Sequence, residues 1–354
     1  MMSISTELYR DCFHEWDMRF YFVDCAVRDR NIFMFSTMPL MDTEQMKRHG
    51  DLPPQTIVGY IRNEGYWGVS FLQLWHKVVL GTSLNPLGHS VSIEPHQMNI
   101  SPDDRKGYRV FVTGSGEPYE DSPLKTYDRE TKGADGAFER GTVEKLKMID
   151  GWLYVCGGNR AFGKRLEKGK WESFTQCFPF EYNTGKGGWG FADFDAFNEQ
   201  DIYLAGGRGD VWHFDGKKAR QIPIPTNVNL ETVCCGGDGE VYISGSKGMT
   251  FHGRGDRWER VENEEPYEDP SNLSFRDMVW YEDKVWATNP NGLWVIENNT
   301  IKEADVPHWV RACKGTLSVG DGVLLLAGSQ GAVFRENGEW HKILLFDEME
   351  ALLK

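Results

Sequence analysis

The sequence predicts an all-β fold, and its composition and an internal repeat carry that prediction. Of the 354 residues 39 are glycine, a share well above the roughly 7% of an average protein. Tryptophan, at 13 residues, is as frequent as tyrosine, and 40% of the chain is hydrophobic. This apolar content is too high for a disordered chain, and abundant glycine is typical of tight β-hairpins.

The C-terminal half contains four copies of one pattern. Each copy has an apolar run, a small-residue turn with a glycine, and a second run that alternates apolar and polar residues. Alternation with a period of two predicts β-strands, and a glycine with positive φ allows a tight hairpin between them. The copies begin at Asp201, Glu240, Lys284 and Val323, and their turn glycines are Gly209, Gly248, Gly292 and Gly331.

The pattern extends towards the N-terminus. Another strand ending in an acidic turn precedes each copy, so each unit is predicted to be a four-stranded antiparallel meander. A matching unit starts at Trp152, and the segments around Val79 and Phe33 match its first half. Seven units in 354 residues give about 50 residues per unit, which is in the range of propeller blades. The centres of the predicted second strands are Phe33, Val79, Tyr154, Tyr203, Tyr242, Trp286 and Leu325.

Sheets of this kind bury both of their faces when they pack side by side in a ring. The sequence therefore predicts a β-propeller with seven blades of four antiparallel strands. In its repeat rhythm the chain resembles the bacterial WD40/YVTN/BNR-type β-propellers, although it has neither a Trp-Asp blade signature nor a sialidase Asp box. The resemblance implies the fold and no catalytic residues. A six-bladed ring with a separate N-terminal region is the alternative, because the first two units are the least regular.

We expect a single propeller domain over residues 1–354. Residues 99–140, rich in Asp, Glu, Gly and Lys, are predicted to form an inserted acidic loop region. Residues 347–354 are predicted to be a short helical tail outside the ring. Ring closure is expected to pair an N-terminal strand around residues 19–23 with the last blade.

Charge and cysteine content restrict the partner and the compartment. With 39 basic and 53 acidic residues the net charge is −14, which disfavours nucleic acid and anionic membranes as partners. No secretory signal and no membrane-spanning apolar run is visible, and the seven cysteines lack CxxC spacing. We expect a cytoplasmic protein with free thiols, a basic protein as its partner and no cofactor.

No catalytic or metal-binding motif in the sequence is specific enough to assign. Asp193 and Asp195 would share one face of a strand, where paired carboxylates could act as acid and base or bind Ca²⁺. With Asp210 they are the acidic residues expected at the channel mouth if the protein is an enzyme. The adjacent Cys234 and Cys235 are expected to be core thiols rather than a redox pair. Six tryptophans are expected mainly in the core, with some lining the channel or a face: Trp67, Trp189, Trp212, Trp280, Trp294 and Trp309.

The strongest local signal is the sequence Glu-Pro-Tyr-Glu-Asp, which occurs at 117–121 and again at 265–269. Both copies are expected between the last strand of one blade and the first strand of the next, so that the two loops would share a rim. Proline lowers the ordering cost of binding, tyrosine is a common anchor, and carboxylates steer cations. A soluble connector without a ligand is the alternative. The predicted partner-binding residues are Glu117, Tyr119, Glu120, Asp121, Glu264, Glu265, Tyr267, Glu268 and Asp269.

The sequence favours a non-enzymatic protein-binding propeller over an enzyme. The most concrete hypothesis is a cytosolic bacterial immunity protein that binds and neutralises a basic toxin domain through an acidic, aromatic loop face. A nuclease or another effector that acts on nucleic acid would be such a toxin. A cellular scaffold fits the same residues. The alternative is a propeller-type glycan-binding protein or hydrolase with an acidic site at the channel mouth.

Overall fold

The computed structural model of this chain describes residues 4–15, 18–42, 44, 55–72, 75–85, 87–95, 109–113, 120–121, 143–158, 160–167, 170–179, 190–264 and 273–354. The strands of these residues form seven sheets, each of four or five strands. Neighbouring strands pair in an antiparallel sense, apart from one short parallel edge pair between Glu262–Asn263 and Thr300–Glu303. The predicted all-β propeller with blades of four antiparallel strands is confirmed.

The strands are numbered in chain order and grouped by sheet, which we call blades 1 to 7. Blade 1 contains β1 (His14–Glu15), β2 (Met18–Asp29), β3 (Ile32–Leu40), β4 (Gln55–Ile61) and β5 (Tyr66–Leu72). Blade 2 contains β6 (Trp75–Leu84), β7 (Leu87–Pro95), β8 (Arg109–Thr113) and β9 (Glu120–Asp121). Blade 3 contains β10 (Val143–Ile149), β11 (Trp152–Gly157), β12 (Ala161–Glu167) and β13 (Lys170–Ser173).

The later blades are the most regular. Blade 4 contains β14 (Phe191–Asn198), β15 (Asp201–Gly206), β16 (Asp210–Phe214) and β17 (Ala219–Ile222). Blade 5 contains β18 (Leu230–Cys235), β19 (Val241–Gly245), β20 (Met249–Arg254) and β21 (Arg257–Arg260). Blade 6 contains β22 (Glu262–Asn263), β23 (Asp277–Tyr281), β24 (Lys284–Asn289), β25 (Gly292–Glu297) and β26 (Thr300–Glu303). Blade 7 contains β27 (Gly315–Gly320), β28 (Val323–Gly328), β29 (Gly331–Glu336) and β30 (Glu339–Leu345).

Three α-helices of the described residues accompany the blades: α1 (Thr6–Phe13) before blade 1, α2 (His308–Ala312) before blade 7, and α3 (Phe346–Leu352) after it. None of the helices in the described ranges is long and apolar enough to cross a membrane.

Each blade contains a meander of four antiparallel strands, and the first strand of this meander lies at the centre of the ring. We letter the four meander strands of each blade A to D, so that the A strands are β2, β6, β10, β14, β18, β23 and β27. Each A strand packs against the A strands of the two neighbouring blades, and β27 packs against β2 to close the circle. Because antiparallel strands reverse at each turn, the A–B and C–D turns lie at one end of the ring. We call this end the A–B face, and the opposite end, with the B–C and D–A connections, the B–C face.

Six of the seven predicted second-strand centres lie in B strands, and Val79 is the exception. Val79 lies in β6, which is the A strand of blade 2. The B strand of that blade, Leu87–Pro95, has the sequence LGHSVSIEP, which is too polar to be predicted as a buried strand. The apolar run around Val79 is therefore the first strand of the meander and not the second strand, as the sequence pattern had indicated.

This shift also explains two wrong predictions in blade 2. The predicted acidic insertion at residues 99–140 includes Arg109–Thr113 and Glu120–Asp121, which are the C and D strands of the blade. Glu120 and Asp121, the last two residues of the first Glu-Pro-Tyr-Glu-Asp copy, therefore lie in the D strand of blade 2 and not between two blades. The first three residues of this copy lie outside the described residues.

The ring closes by side-chain contacts and not by the predicted strand pairing. The N-terminal strand Met18–Asp29 hydrogen-bonds within blade 1, and blade 7 is completed by its own four strands. The amide of Val27 donates to Ser318 Oγ at 3.0 Å, and Arg30 forms an ion pair with Asp321. The predicted terminal helix is present as α3, but its side chains Phe346 and Met349 are buried against the ring.

The turn glycines behave largely as predicted. Gly209, Gly248 and Gly331 have φ values of 70°, 66° and 145°. At Gly209 an added Cβ would lie 2.2 Å from the carbonyl oxygen of Thr226, so this hairpin has no space for a side chain. Gly292, which begins β25, is different because it is not among the glycines with positive φ.

Candidate functional site: the central channel and its mouth

The A strands carry polar side chains at one equivalent position along the channel wall. The position follows a bulge in β2, β10, β14 and β18, where the strand register shifts by one residue. It is occupied by Asp24, Lys145, Asp193, Thr232, Asp277 and Thr316 in blades 1, 3, 4, 5, 6 and 7.

The aspartates at this position each bind the backbone of the next blade. Asp24 accepts a hydrogen bond from the amide of Leu80 at 3.0 Å. Asp193 accepts one from the amide of Val233 at 2.9 Å. In the same manner the amide of Leu317 donates to Asp277 at 2.9 Å. These bonds link blade 1 to 2, blade 4 to 5 and blade 6 to 7, so they fix neighbouring A strands in register.

Two lysines of blade 3 extend this network across the channel. Lys147 Nζ lies 2.9 Å from Asp193 of blade 4, and Lys145 Nζ lies 3.2 Å from Asp277 of blade 6. Thr232 Oγ1 donates to Asp193 and accepts from the amide of Met278. Asp193 is only 2% exposed, so its charge is stabilised by these partners rather than by water.

The electrostatics of the channel follow from burial and from the balance of charges. Burial alone would lower the pKa of Lys145, but the nearby carboxylates, Asp277 foremost, raise that pKa above its ordinary value. Burial raises the pKa of Asp195, and Lys147 opposes that rise only in part. Burial likewise raises the pKa of Asp24. The two lysines are therefore stabilised in their protonated form, whereas burial makes the ionised form of Asp24 and Asp195 less favourable.

Asp24 and Asp195 line a cavity of about 270 Å³ between the charged network and the A–B face. Neither carboxylate lies within 4 Å of a cationic group among the described residues. Their hydrogen bonds come from backbone amides, including that of Cys235 to Asp195 at 2.8 Å. Since both lysines are already paired, the uncompensated charge of the cavity is negative.

The rim of this cavity is apolar over five consecutive blades. The rim residues occupy the same position of each A strand, three residues beyond the charged network, and Val319 is 38% exposed. Trp280 of blade 6 packs beside the Gly236–Gly237 turn of blade 5. The rim residues of blades 3 to 7 are Met148, Ala196, Cys235, Trp280 and Val319.

Carboxylates surround this rim in the A–B turns of the same five blades. Some are paired, as Glu282 is with Arg335 and Asp321 with Arg30. The turn carboxylates are Asp150, Glu199, Asp201, Asp238, Glu240, Glu282, Asp283 and Asp321. In the described part of the chain, four of these form no ion pair: Asp150, Asp238, Glu240 and Asp283.

The B–C face has the opposite charge in its short loops. Arg208 and Lys247 are exposed at the B–C turns of blades 4 and 5, and neither forms an ion pair with a described residue. Arg160 of blade 3 is paired with Asp210, to which its Nε and Nη2 donate at 2.6 and 2.8 Å. The carboxylates of the inner turns are therefore concentrated at one end of the ring.

The predicted partner-binding residues lie mostly outside the described ranges. Glu120 and Asp121 lie in β9, whereas Glu264 is exposed after β22 and its amide donates to Ile301 O. Blade order places β9 in blade 2 and β22 beside blade 6, so these residues do not come together. Their role in binding stays a prediction, as does that of Glu117, Tyr119, Glu265, Tyr267, Glu268 and Asp269, which are not described.

The acidic residues considered for catalysis have structural partners. Both Asp193 oxygens are hydrogen-bonded, and Asp210 also accepts from the indole of Trp212 at 2.9 Å. Asp193 and Asp195 each bind blade 5, as inter-blade links rather than as an exposed pair. The described residues contain no group of three side chains suited to a metal ion.

All seven cysteines are free thiols, and Cys234 is buried as predicted. Of the six tryptophans, Trp67, Trp212 and Trp294 are buried, and Trp189 lies outside the described residues. Trp280 is the one that reaches the channel mouth.

Sequence reasoning missed Lys145 and Lys147. They alternate with apolar residues in the segment VEKLKMI, a pattern that normally indicates a solvent-exposed strand face. The available signal was positional, because Asp193 and Thr232 each stand two residues after the first residue of their A strands, as Lys145 does.

Comparison with known proteins agrees with the architecture. No family model matches the chain. The immune protein Tsi7 of Pseudomonas aeruginosa is 27% identical over 236 residues, which are 66% of this chain and 72% of that protein.

Solved structures with the same fold include the WD40 repeats of RRP9, with a TM-score of 0.56, 12% identity and 91% coverage of both chains. The WD40 propeller domain of Doa1 has a TM-score of 0.54 at 10% identity, covering 90% of this chain and 97% of that one. YCF48 bound to D1 peptide has a TM-score of 0.52 at 11% identity, covering 92% and 96%. The chain therefore has the WD40-type propeller fold, and in sequence it is similar to an immune protein.

Proposed function

We propose that this chain is an immunity protein that binds a toxin domain in the bacterial cytoplasm and neutralises it. The similarity to the immune protein Tsi7 over 236 residues carries the proposal. The fold supports it, because a rigid ring presents loops from distant parts of the sequence on a common surface. Binding to such a preorganised surface costs little conformational entropy.

The toxin domain is proposed to be basic. The net charge of −14 would accelerate association with a cationic partner and would disfavour nucleic acid itself as the ligand. Toxins that act on nucleic acid need cationic surfaces to bind phosphates, so they fit this requirement. The protein would then act by occupying or covering the toxin's active-site cleft.

A glycan hydrolase site at the channel mouth is not favoured. The acidic residues it would need are held by lysine and by backbone amides of the next blade, and Asp193 is 2% exposed. A general acid or base must reach the substrate atom that it protonates or deprotonates. In this arrangement Asp193 does not.

The test is protection of growth. The open reading frame adjacent to this gene is expressed in a bacterial host under an inducible promoter, with and without this chain. We expect the neighbour's product to arrest growth and this chain to restore it. The two purified proteins, with the toxin inactivated, should form a stoichiometric complex in size-exclusion chromatography.

Failure would be clear in either assay. A toxic neighbour that remains lethal when this chain is expressed, and that does not co-elute with it, would contradict the proposal. A matched control is a chain with Asp193→Ala, which should lose protection in proportion to the folded protein that remains, since Asp193 has a structural role.

A further inference from the structure

The A–B mouth of the channel has the layout of a protein-binding site. Its centre is an apolar rim from blades 3 to 7, and the A–B turns outside that rim carry carboxylates. Stable interfaces commonly have a desolvated apolar core within a polar periphery. Val319, at 38% exposure on a central strand, is the most exposed part of this core.

The cavity beneath the rim selects the kind of side chain that fits. Its wall offers Asp24 and Asp195, which lack a cation within 4 Å in the described residues, and its lysines are already paired. A long side chain with an apolar stem and a cationic head would place the stem against the rim and the head near these carboxylates. Arginine and lysine have that shape, and arginine's planar fork can bind a carboxylate with two hydrogen bonds.

Among the described inner turns, the opposite end offers no such combination. Arg208 and Lys247 place positive charge in the B–C turns, which would repel a basic partner. Phe346 and Met349 of α3 are buried there, where the helix packs on blade 1. Charge complementarity therefore favours the A–B face for a basic partner.

We propose that the toxin partner docks on the A–B face over blades 3 to 7 and inserts an arginine or lysine side chain into the channel mouth. This inference rests on the proposed immunity function and specifies the surface that binds the toxin. The inserted head group compensates Asp24 and Asp195, and the basic surface around it faces the carboxylates of the A–B turns. The channel mouth then acts as the anchor of the complex.

The test compares two variants at one exposed position. Val319→Arg adds a competing cation at the mouth, and Val319→Glu adds an anion of comparable length. The probe is the inactivated toxin domain from the growth assay, and affinity is measured by calorimetry. We expect Val319→Arg to bind about thirtyfold more weakly than the parent, as at an interface hot spot, and at least about tenfold more weakly than Val319→Glu.

A control variant separates this inference from a general charge effect. Leu352→Arg adds the same charge to α3, where Leu352 is 59% exposed, and should bind as the parent does. Equal affinity of the two Val319 variants would overturn the channel-mouth site while leaving the immunity function intact. If the parent chain does not protect growth against the toxin, the proposed immunity function is refuted instead.

A second measurement needs no toxin. N-acetyl-arginine methylamide is titrated into the labelled protein, and the indole N–H resonance of Trp280 is followed by NMR, assigned with Trp280→Phe. We expect a saturable shift at millimolar concentrations that Val319→Arg abolishes. If the Trp280 resonance does not move, or moves equally in the arginine variant, the cavity does not hold a cationic side chain.

Discussion

The two ends of the propeller are made from the same repeat but differ in charge and in closure. At the A–B face the inner turns of blades 3 to 7 carry carboxylates around an open, apolar-rimmed cavity. At the B–C face the short turns of blades 4 and 5 carry Arg208 and Lys247, and α1 and α3 pack against blades 1 and 7 at the same end of the ring. The difference shows that a repeat with little sequence signature can still build two faces that differ in charge and in how they are covered.

The reason lies in what each turn must do. An A–B turn needs residues that tolerate positive φ, and Asp150, Glu282, Asp283 and Asp321 all adopt it at φ values of 46–57°. A B–C turn must pass close to the next connection, as Gly209 does beside Thr226. Acidic residues occupy these turns at the open end, whereas at the B–C end the position of Gly209 has no space for a Cβ.

The largest expected effect concerns the network that lies between the two ends. Asp193→Ala leaves Lys147 without its carboxylate and removes the acceptor for the amide of Val233. Breaking a buried ion pair in this way should lower the free energy of unfolding by about 3–5 kcal/mol. Urea unfolding followed by tryptophan fluorescence measures the change.

The control for this prediction is an exposed ion pair at the A–B face. Asp256→Ala removes the partner of Arg220, where the aspartate side chain is 67% exposed, and should change stability by less than about 1 kcal/mol. Equal losses in the two variants would mean that the channel network has no special role. The A–B face would then have to be treated as an ordinary charged surface.

The next effect compares one glycine from each end. Gly209→Ala forces a Cβ to within 2.2 Å of Thr226 O, in addition to a φ of 70°. Gly239, in the A–B turn of blade 5, has a φ of 87°, and an added Cβ would meet only Arg254, at 3.8 Å. Gly239→Ala should cost about 1 kcal/mol from the backbone conformation alone, and Gly209→Ala at least about twice that.

Thermal unfolding of both variants gives the comparison directly. A larger loss at Gly239 than at Gly209 would contradict the distinction between an open and a crowded end. The same result would also question the B–C hairpin geometry that positions Arg208.

These expectations also show how far the sequence alone could lead. The alternation in Val241–Gly245 and its neighbours was sufficient for the repeated strands and hence for the propeller, because a period of two reports directly on the backbone. The register of blade 2 could not be found, since its B strand is polar, and this displaced the first acidic copy from its predicted place.

The candidate site was hidden for a different reason. Lys145 is distant in sequence from Asp277, and their pairing across the channel depends on ring closure. Periodicity describes one strand at a time and cannot report which strands face one another. Only the ring brings these residues and the rim of Val319 to a common mouth.

A smaller effect concerns association with a basic partner. The double variant Glu240→Lys and Asp283→Lys reverses two unpaired charges at the A–B face, and should slow association about tenfold at low salt. Arg208→Glu with Lys247→Glu reverses two charges at the B–C face and should not slow it. Stopped-flow or surface plasmon resonance at two salt concentrations measures both with the inactivated toxin. If the B–C variant is the slower one, the docking face has been assigned to the wrong end.

The smallest effect is a pH dependence that distinguishes the helical closure of the B–C face from a turn on the A–B face. Tyr9 and His14 donate to Glu350 at 2.6 and 2.9 Å, and these bonds hold the pKa of Glu350 below its ordinary value against the opposing effect of burial. A carboxyl group whose pKa is lowered by folding stabilises the protein above its unfolded-state pKa, and this stabilisation is lost as the pH falls through the folded-state value. Glu350→Gln should therefore flatten the stability profile in the acid range below about pH 4.5.

Asp321→Asn is the matched variant at the other end. Hydrogen bonds from the amide and side chain of Arg30 also lower the pKa of Asp321, but the Asp321 side chain is 49% exposed, so solvent weakens the ion pair. Stability measured between pH 3 and pH 6 should consequently change less for Asp321→Asn than for Glu350→Gln, because the Glu350 side chain is only 27% exposed. A reversed order would mean that the ring is held closed mainly by the contact between blades 7 and 1 at the A–B face, and that α3 merely covers the other end.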